Sequence, residues 1–280
     1  MAQTDPIAPG IYEGIPNEQY HAGPGVSKSG LWEIHKKSPA HYAFAPREEK
    51  NHFDLGEAGH IAVLEPETLE ARVYRGPEDR RGNKWKDVKE HCDMNGLVLL
   101  TSGDYDKALM IRDTIHADAT LHSLITRGDR VVEASGYWTD EETGALCRYR
   151  PDLYRRDLGM MIDLKTTASA HPAEFARSVV NYGYHAQEAF YTDGHRALGQ
   201  AVDAFLFIAV EKKDPFCFAM YELPPSIVEE GRAIMRKTLG RYAECAAADK
   251  WPGYSEGVQE LTFPRWAYNE IEAPHALDQE

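Results

Sequence analysis

The sequence predicts a mixed α/β fold, with a central mostly antiparallel or mixed sheet flanked by helices. Three observations predict it. Helical periodicity dominates the first part of the chain, three consecutive strand patterns fill residues 130–167, and helical segments then alternate irregularly with two more strand patterns. The order is helices, three strands, helices, two strands, helix, which is not the regular alternation of a doubly wound sheet. Neither G-x-G-x-x-G nor a Walker A motif is present.

The elements follow in order within a single domain over 1–280. Residues 1–24 are punctuated by Gly and Pro and read as an irregular arm. A mainly helical part spans 25–125. There, Ser27 or Ser29 caps a helix carrying Leu31 and Ile34, which the Ser38-Pro39 step ends. A second helix runs from about Asp54 to Leu64, residues 75–96 are polar enough to read as a loop, and one helix fits 102–125. The core spans 130–250. Its first strands are "RVVEASGYWTD" (130–140), "ALCRYRPDLYR" (145–155) and "LGMMIDLKTT" (158–167), joined by short turns as an antiparallel meander. A helix opens at Pro172, where a first-turn proline is well placed, and another covers 184–198. Strands at 203–213 and 217–224 and a long helix at 226–250 complete the core, leaving an acidic, Pro-rich tail at 251–280.

Composition bounds the function. A chain of 280 residues can bury a sizeable core. No run approaches the roughly 18 apolar residues of a membrane span, and the N-terminus lacks the features of a signal peptide, so a cytoplasmic location is expected, with no membrane partner. Cys92, Cys147, Cys217 and Cys245 are scattered without a C-x-x-C pair, which argues for reduced thiols rather than a zinc ribbon or a disulfide framework. The formal net charge of −14 speaks against nucleic acid as a partner only weakly, because binding depends on where charges sit. Basic patches exist at "SKSGLWEIHKKSPAHY" (27–42), "RRGNKWK" (80–86) and "RYRPDLYRR" (148–156).

The stretch "MMIDLKTT" (160–167) carries the chemistry. Strand alternation points Asp163 and Lys165 one way and Ile162 and Leu164 the other. A carboxylate and an amine on a core strand are costly unless paired, hydrated or bound to something. A strand-end ion pair is one reading. Glu133 and Asp152 on the two preceding strands allow another, since neighbouring strands lie about 4.8 Å apart and carboxylates can meet at one sheet edge. Clustered carboxylates repel unless a cation neutralises them, and hard oxygen ligands suit Mg²⁺ or Mn²⁺. A lysine beside such a site can orient water or steady charge on a phosphate, an arrangement suited to phosphodiester hydrolysis.

Asp152 followed by Asp163-Leu164-Lys165 resembles the D…(D/E)-x-K signature of the PDDEXK nuclease superfamily. "QEAFY" (187–191) resembles the Q-x-x-x-Y motif of its RecB/lambda-exonuclease branch, and "GEAGH" (56–60) that branch's upstream histidine motif. "YHAGPGVSKSGLWEIHKKSPAHY" with "FDLGEAGHIAVLEPE" is similar to RecE-type exodeoxyribonucleases (exonuclease VIII) of phages and prophages, and the similarity covers roughly residues 12–250. The resemblance implies that Asp152 and Asp163 ligate Mg²⁺ with the Leu164 carbonyl, helped by His60 and Glu133. Lys165 would activate water, while Gln187 and Tyr191 hold Lys165 and the scissile phosphate in register. Ser27, Lys28 and Ser29, with Arg148 and Arg150 of the basic patch, are the candidates for DNA contact, although an N-cap explains the serines almost as well. The resemblance also implies degradation of linear double-stranded DNA from its ends, 5′ to 3′. A ring-shaped homo-oligomer and a RecT-like single-strand annealing recombinase as partner go with it. Another nuclease of the same fold, either an endonuclease or a single-strand exonuclease, and a non-catalytic DNA-binding module remain open at this stage.

Overall fold

The structure is a computed structural model, and it describes residues 7–46, 54–254 and 257–263. The N-terminal part contains β1 (Gly10–Tyr12), α1 (Asn17–Ala22), β2 (Val26–Ser27), α2 (Lys28–Lys36), α3 (Pro39–Phe44), α4 (Asp54–Leu64), α5 (Leu69–Arg72), β3 (Val73–Arg75), α6 (Asn83–Asn95), β4 (Val98–Leu100), α7 (Ser102–Ala117) and α8 (Ala119–Thr126). The second part contains β5 (Arg130–Val132), β6 (Ser135–Thr139), β7 (Leu146–Tyr149), β8 (Leu153–Arg155), β9 (Met160–Thr167), α9 (Pro172–Tyr182), α10 (Tyr184–Ala197), β10 (Ala204–Glu211), β11 (Phe218–Tyr221) and α11 (Pro225–Ala248). The class is mixed α/β, with mixed sheets flanked by helices.

The expected meander does not survive intact. Its first strand breaks at Glu133, which adopts a positive φ of 49°, and its second breaks at Pro151-Asp152. The breaks lie side by side, because the Glu133 N–H donates to the Asp152 carbonyl at 3.1 Å. On one side of this bend β5, β8 and β9 join a five-stranded sheet of order β11-β10-β9-β8-β5. On the other, β6 and β7 swing out into a separate sheet of order β1-β6-β7-β2. Strand periodicity continues through both bends, so alternation alone read two strands where the chain makes four.

β9 and β10 pair in parallel over eight positions, Ala204 opposite Met160 through Glu211 opposite Thr167, with α9 and α10 as the crossover. Both strands are buried on both faces, as parallel strands covered by helices must be. Ile162, Leu164, Leu206 and Ile208 pack on one face against Ile111 and Ile115 of α7 and Leu121 of α8. Met161, Phe205 and Phe207 pack on the other against Phe175 of α9, Phe190 of α10 and Leu239 of α11. Full burial of each such side chain contributes about 1.5–3 kcal/mol. Three of the four cysteines are buried, and none forms a disulfide.

Other expectations are corrected. Residues 75–96 are not all loop, because Asn83–Asn95 form α6, ended by Gly96 in the left-handed region. Only Cys92 of that helix is buried, so it carries no apolar stripe to reveal it. The single helix expected over 102–125 is two, since the Asp118 carboxylate caps α8 by accepting from Thr120 N (3.0 Å) and Leu121 N (2.9 Å). The arm expected to be irregular holds β1, which pairs antiparallel with β6, and α1, whose Tyr20 is buried. Among the described residues no helix is long and apolar enough to cross a membrane.

Candidate active site

Strand alternation places Asp163 and Lys165 on the face of β9 that α10 covers. Asp163 is 1 % exposed and pairs with the Lys165 ammonium through Oδ1. Gln187 of α10 donates from Nε2 to the other oxygen, Oδ2. Gly183 fixes where Gln187 falls. It ends α9 and starts α10 in the left-handed region (φ 67°), and a side chain there would collide with the Trp32 ring at 2.7 Å. The Lys165 ammonium also lies 4.8 Å from the Tyr184 ring centroid, at the first position of α10. An ion pair therefore exists, but it is buried and held on three sides rather than solvated at a strand end.

Asp152 sits just before β8, where Leu153 registers with Ile162. Its Oδ2 accepts from the Leu164 backbone N–H at 2.7 Å and contacts His60 Nε2 at 3.1 Å. His60 Nδ1 in turn donates to the Gly56 carbonyl at 2.7 Å, which fixes the ring. Gly56 and Gly59 bring α4 against β9, since a Cβ at either would lie 3.4 Å from Thr166. The spacing in "GEAGH" thus serves close packing as well as the histidine.

The charges are tightly balanced. Burial pushes the Asp163 carboxyl up and the charge of Asp152 adds to this against the pull of Lys165, bringing it to about 6. Burial would also raise Asp152, but His60 and Lys165 outweigh it and hold the group below the usual carboxylate range. Burial would lower His60, yet Asp152 prevails and lifts it to about 9. Glu133 is raised, first by burial and then by Asp152.

A testable consequence concerns His60. A histidine whose folded-state value lies above its unfolded 6.5 adds stability below that value and loses it as pH rises through about 9. His60→Gln should therefore cost on the order of 3 kcal/mol at pH 6, and the deficit should vanish near pH 10. Urea unfolding of both proteins across that range measures it, and a constant deficit would refute the imidazolium–Asp152 pairing.

The remaining sequence-predicted residues divide. Tyr191 lies in the same region, its hydroxyl held well above the ordinary phenol value by burial and interacting with the Arg150 backbone. Ser27 caps α2, accepting from Gly30 N at 3.3 Å, and Ser29 is exposed on that helix. Lys28 is buried rather than on the surface. It donates to the Tyr182 carbonyl at 2.5 Å, and burial together with Lys165 lowers it to about 7. Arg148 and Arg150 do not present free guanidinium groups to a ligand. Arg148 donates to the His21 carbonyl (3.1 Å) and to that of Gly23, while Arg150 donates to Ser135 Oγ (2.7 Å) and the Ile15 carbonyl (2.9 Å). Both cap the Tyr20 ring, at 5.2 and 4.1 Å, and anchor the N-terminal segment onto the bend. Among the other histidines, His171 caps α9 and His185 points at the Val179 carbonyl, so neither joins the site. Tyr182 and Tyr184 belong to none of the motifs above, and "YGY" (182–184) between two helices is the sequence signal that marks them.

Among the described residues no three His, Cys, Asp or Glu side chains converge into a metal cage. The donor set that does converge is two carboxylates close enough for one to raise the other's pKa, with the backbone of Leu164 between them. This fits a hard divalent cation that retains water and takes further oxygens from a phosphate. Beside the site, a cleft of about 1240 Å³ opens between the Glu13–Glu18 segment, α4, α6 and β5, with Glu57 and Glu133 in its wall. Asp163 and Lys165 do not line it.

The PDDEXK-like domain of unknown function (DUF3799) matches this chain over residues 33–262. None of the curated proteins matches it. Among solved structures, a protein named "Putative exonuclease" from Eubacterium rectale superposes with a TM-score of 0.61 at 14 % identity, covering 93 % of this chain and 99 % of its own. A phage related exonuclease from Haemophilus somnus 129PT matches at 13 % identity over 82 % of this chain and 99 % of its own, with a TM-score of 0.36. The first likeness supports the fold, and the family match covers most of the chain. The protein belongs to the PDDEXK-like DUF3799 family.

Proposed function

We propose that the protein is a divalent-metal-dependent exodeoxyribonuclease of the RecE type, with Mg²⁺ as the ion and Mn²⁺ able to replace it. The observation that carries the reading is the buried pair Asp152 and Asp163 with Lys165 held against Asp163. Structural ion pairs are seldom built around a buried carboxylate whose pKa a second carboxylate raises, whereas sites that gather a cation and a phosphate are. A cation held by Asp152, Asp163 and the Leu164 carbonyl would neutralise both carboxylates and polarise the phosphodiester. Gln187 fixes the Asp163 rotamer, so the Lys165 ammonium keeps one position between that carboxylate and the Tyr184 ring. From there it can orient a water and steady charge growing on the phosphate. His60 and the Leu164 N–H hold Asp152 in the orientation this needs.

The substrate is linear double-stranded DNA, cut from the 5′ end to leave 3′ single strands for a RecT-like annealing partner. A ring of several copies around the duplex would supply processivity. The test uses linear duplex labelled at either end, with a circular duplex as control, in Mg²⁺, in Mn²⁺ and in EDTA. Release of 5′ label from linear DNA alone, abolished by EDTA, is the expected result. Cutting of the circle would make it an endonuclease, and no turnover with either ion would refute the nuclease reading.

A further inference from the structure

Beside Lys165 the surface carries rings. Tyr182, the last residue of α9, is 60 % exposed, and Tyr184 opens α10. Their rings stack, with centroids 5.7 Å apart and planes 26° from parallel. Tyr184 stacks in turn on Phe207, at 5.8 Å and 25°. Phe207 is fully buried and lies in β10 directly opposite Asp163. A column of three rings therefore runs from the core to solvent. The Lys165 ammonium lies over its middle ring, and the outer ring is left accessible.

The column is rigid. Gly183, between the two tyrosines, is pinned against Trp32, and Lys28 donates to the Tyr182 carbonyl. Lys28 and Lys36 each lie 5.2 Å from the centroid of Trp32, and Val180, 60 % exposed, lies two residues before Tyr182 in α9. An isolated exposed tyrosine needs no explanation. An exposed ring stacked on a rigid column, one ring away from the Lys165 ammonium and with the exposed Lys36 over the neighbouring Trp32, is a combination that holds unpaired nucleotides. Every base offers a face to stack on, while ammonium groups meet the backbone phosphates. A paired base presents no such face except at a duplex end.

We propose that Tyr182 is a stacking platform for an unpaired base of the strand being cut, so the strand enters the site single-stranded. The inference rests on the nuclease reading above and adds to it the form in which DNA is taken. Tyr182 is a positioning residue. It touches the base, and the reacting phosphate lies at Lys165.

The test uses a phosphorothioate-linked single strand, resistant to cutting, with 2-aminopurine at each of its terminal positions in turn, in Mg²⁺. Wild type and Tyr182→Phe should quench the emission at one position. Tyr182→Ala and Tyr182→Leu should not, and should bind roughly 5- to 150-fold more weakly, the range expected from one base–ring stack. Equal quenching by Tyr182→Ala, no quenching by wild type, or Leu behaving like Phe would each overturn the proposal. So would an unchanged affinity accompanied by a loss of oligomer mass, which would make this face a contact between copies. Cleavage of an ordinary linear duplex is read in parallel. Tyr182-dependent quenching without any cleavage would sink the nuclease reading and leave the platform standing, and cleavage without such quenching would do the reverse.

Discussion

Lys165→Ala is expected to lower DNA cleavage on the order of 10³-fold, the scale on which loss of one preorganised charge at a reacting centre acts. The fold should survive, with an altered pH dependence. Asp163 already stands at about 6 because burial and Asp152 outweigh the pull of Lys165. Without the ammonium, its pKa rises further and the carboxyl becomes protonated near neutrality instead of remaining a bare buried charge. A carboxyl whose folded value exceeds its unfolded one loses stability as pH rises from the unfolded toward the folded value. The variant should therefore be nearly as stable as wild type at pH 5 and clearly less stable at pH 8. End-labelled cleavage and urea unfolding at the two pH values measure this. A variant that keeps its rate would remove Lys165 from the chemistry and leave a structural ion pair.

Gly231→Ala is the second large effect, and it acts at a distance from the site. Gly231 lies in α11 where that helix crosses α10, and an added Cβ would stand 2.4 Å from the His185 carbonyl oxygen and 2.7 Å from Ala186 N. These are backbone atoms, which cannot move aside as a side chain could, so the helices must separate. A cost of about 3 kcal/mol or more is expected, at the upper end for overpacking. Because α10 also carries Gln187 and Tyr184, the same change should misplace the groups around Asp163 and Lys165 and lower activity beyond what the lost stability explains. Gly240 of the same helix has nothing within 4 Å of its would-be Cβ. Gly240→Ala should instead gain up to about 1 kcal/mol from helix propensity. Thermal unfolding of the pair tests the contrast, and equal effects would mean that the α10–α11 crossing is looser than described.

Much of the fold was legible because it is written in local patterns. The helices at 28–36, 54–64 and 184–197 and the strands at 160–167 and 204–211 follow from apolar spacing, caps and breakers. What local pattern could not carry was the split of the meander. A run such as RVVEASGYWTD alternates smoothly through Glu133, and only the positive φ there and its bond to the Asp152 carbonyl turn one strand into two. α6 escaped for the opposite reason, since it buries a single residue and so has no stripe to read.

The same division runs through the site. The sequence by itself determined which groups were available and in what order: Asp152, Asp163, Lys165, Gln187 and His60 stand at spacings that do not depend on what surrounds them. It also determined that Asp163 and Lys165 share a face, because alternation along a strand is a property of the backbone. Only the tertiary structure decided what each charge meets. It buried Lys28 against the Tyr182 carbonyl, spent Arg148 and Arg150 on the N-terminal segment, and set Tyr182 in the open beside Lys165. Whether an arginine faces solvent or a carbonyl more than a hundred residues away depends on contacts between distant segments, and such contacts leave no periodic trace in the chain.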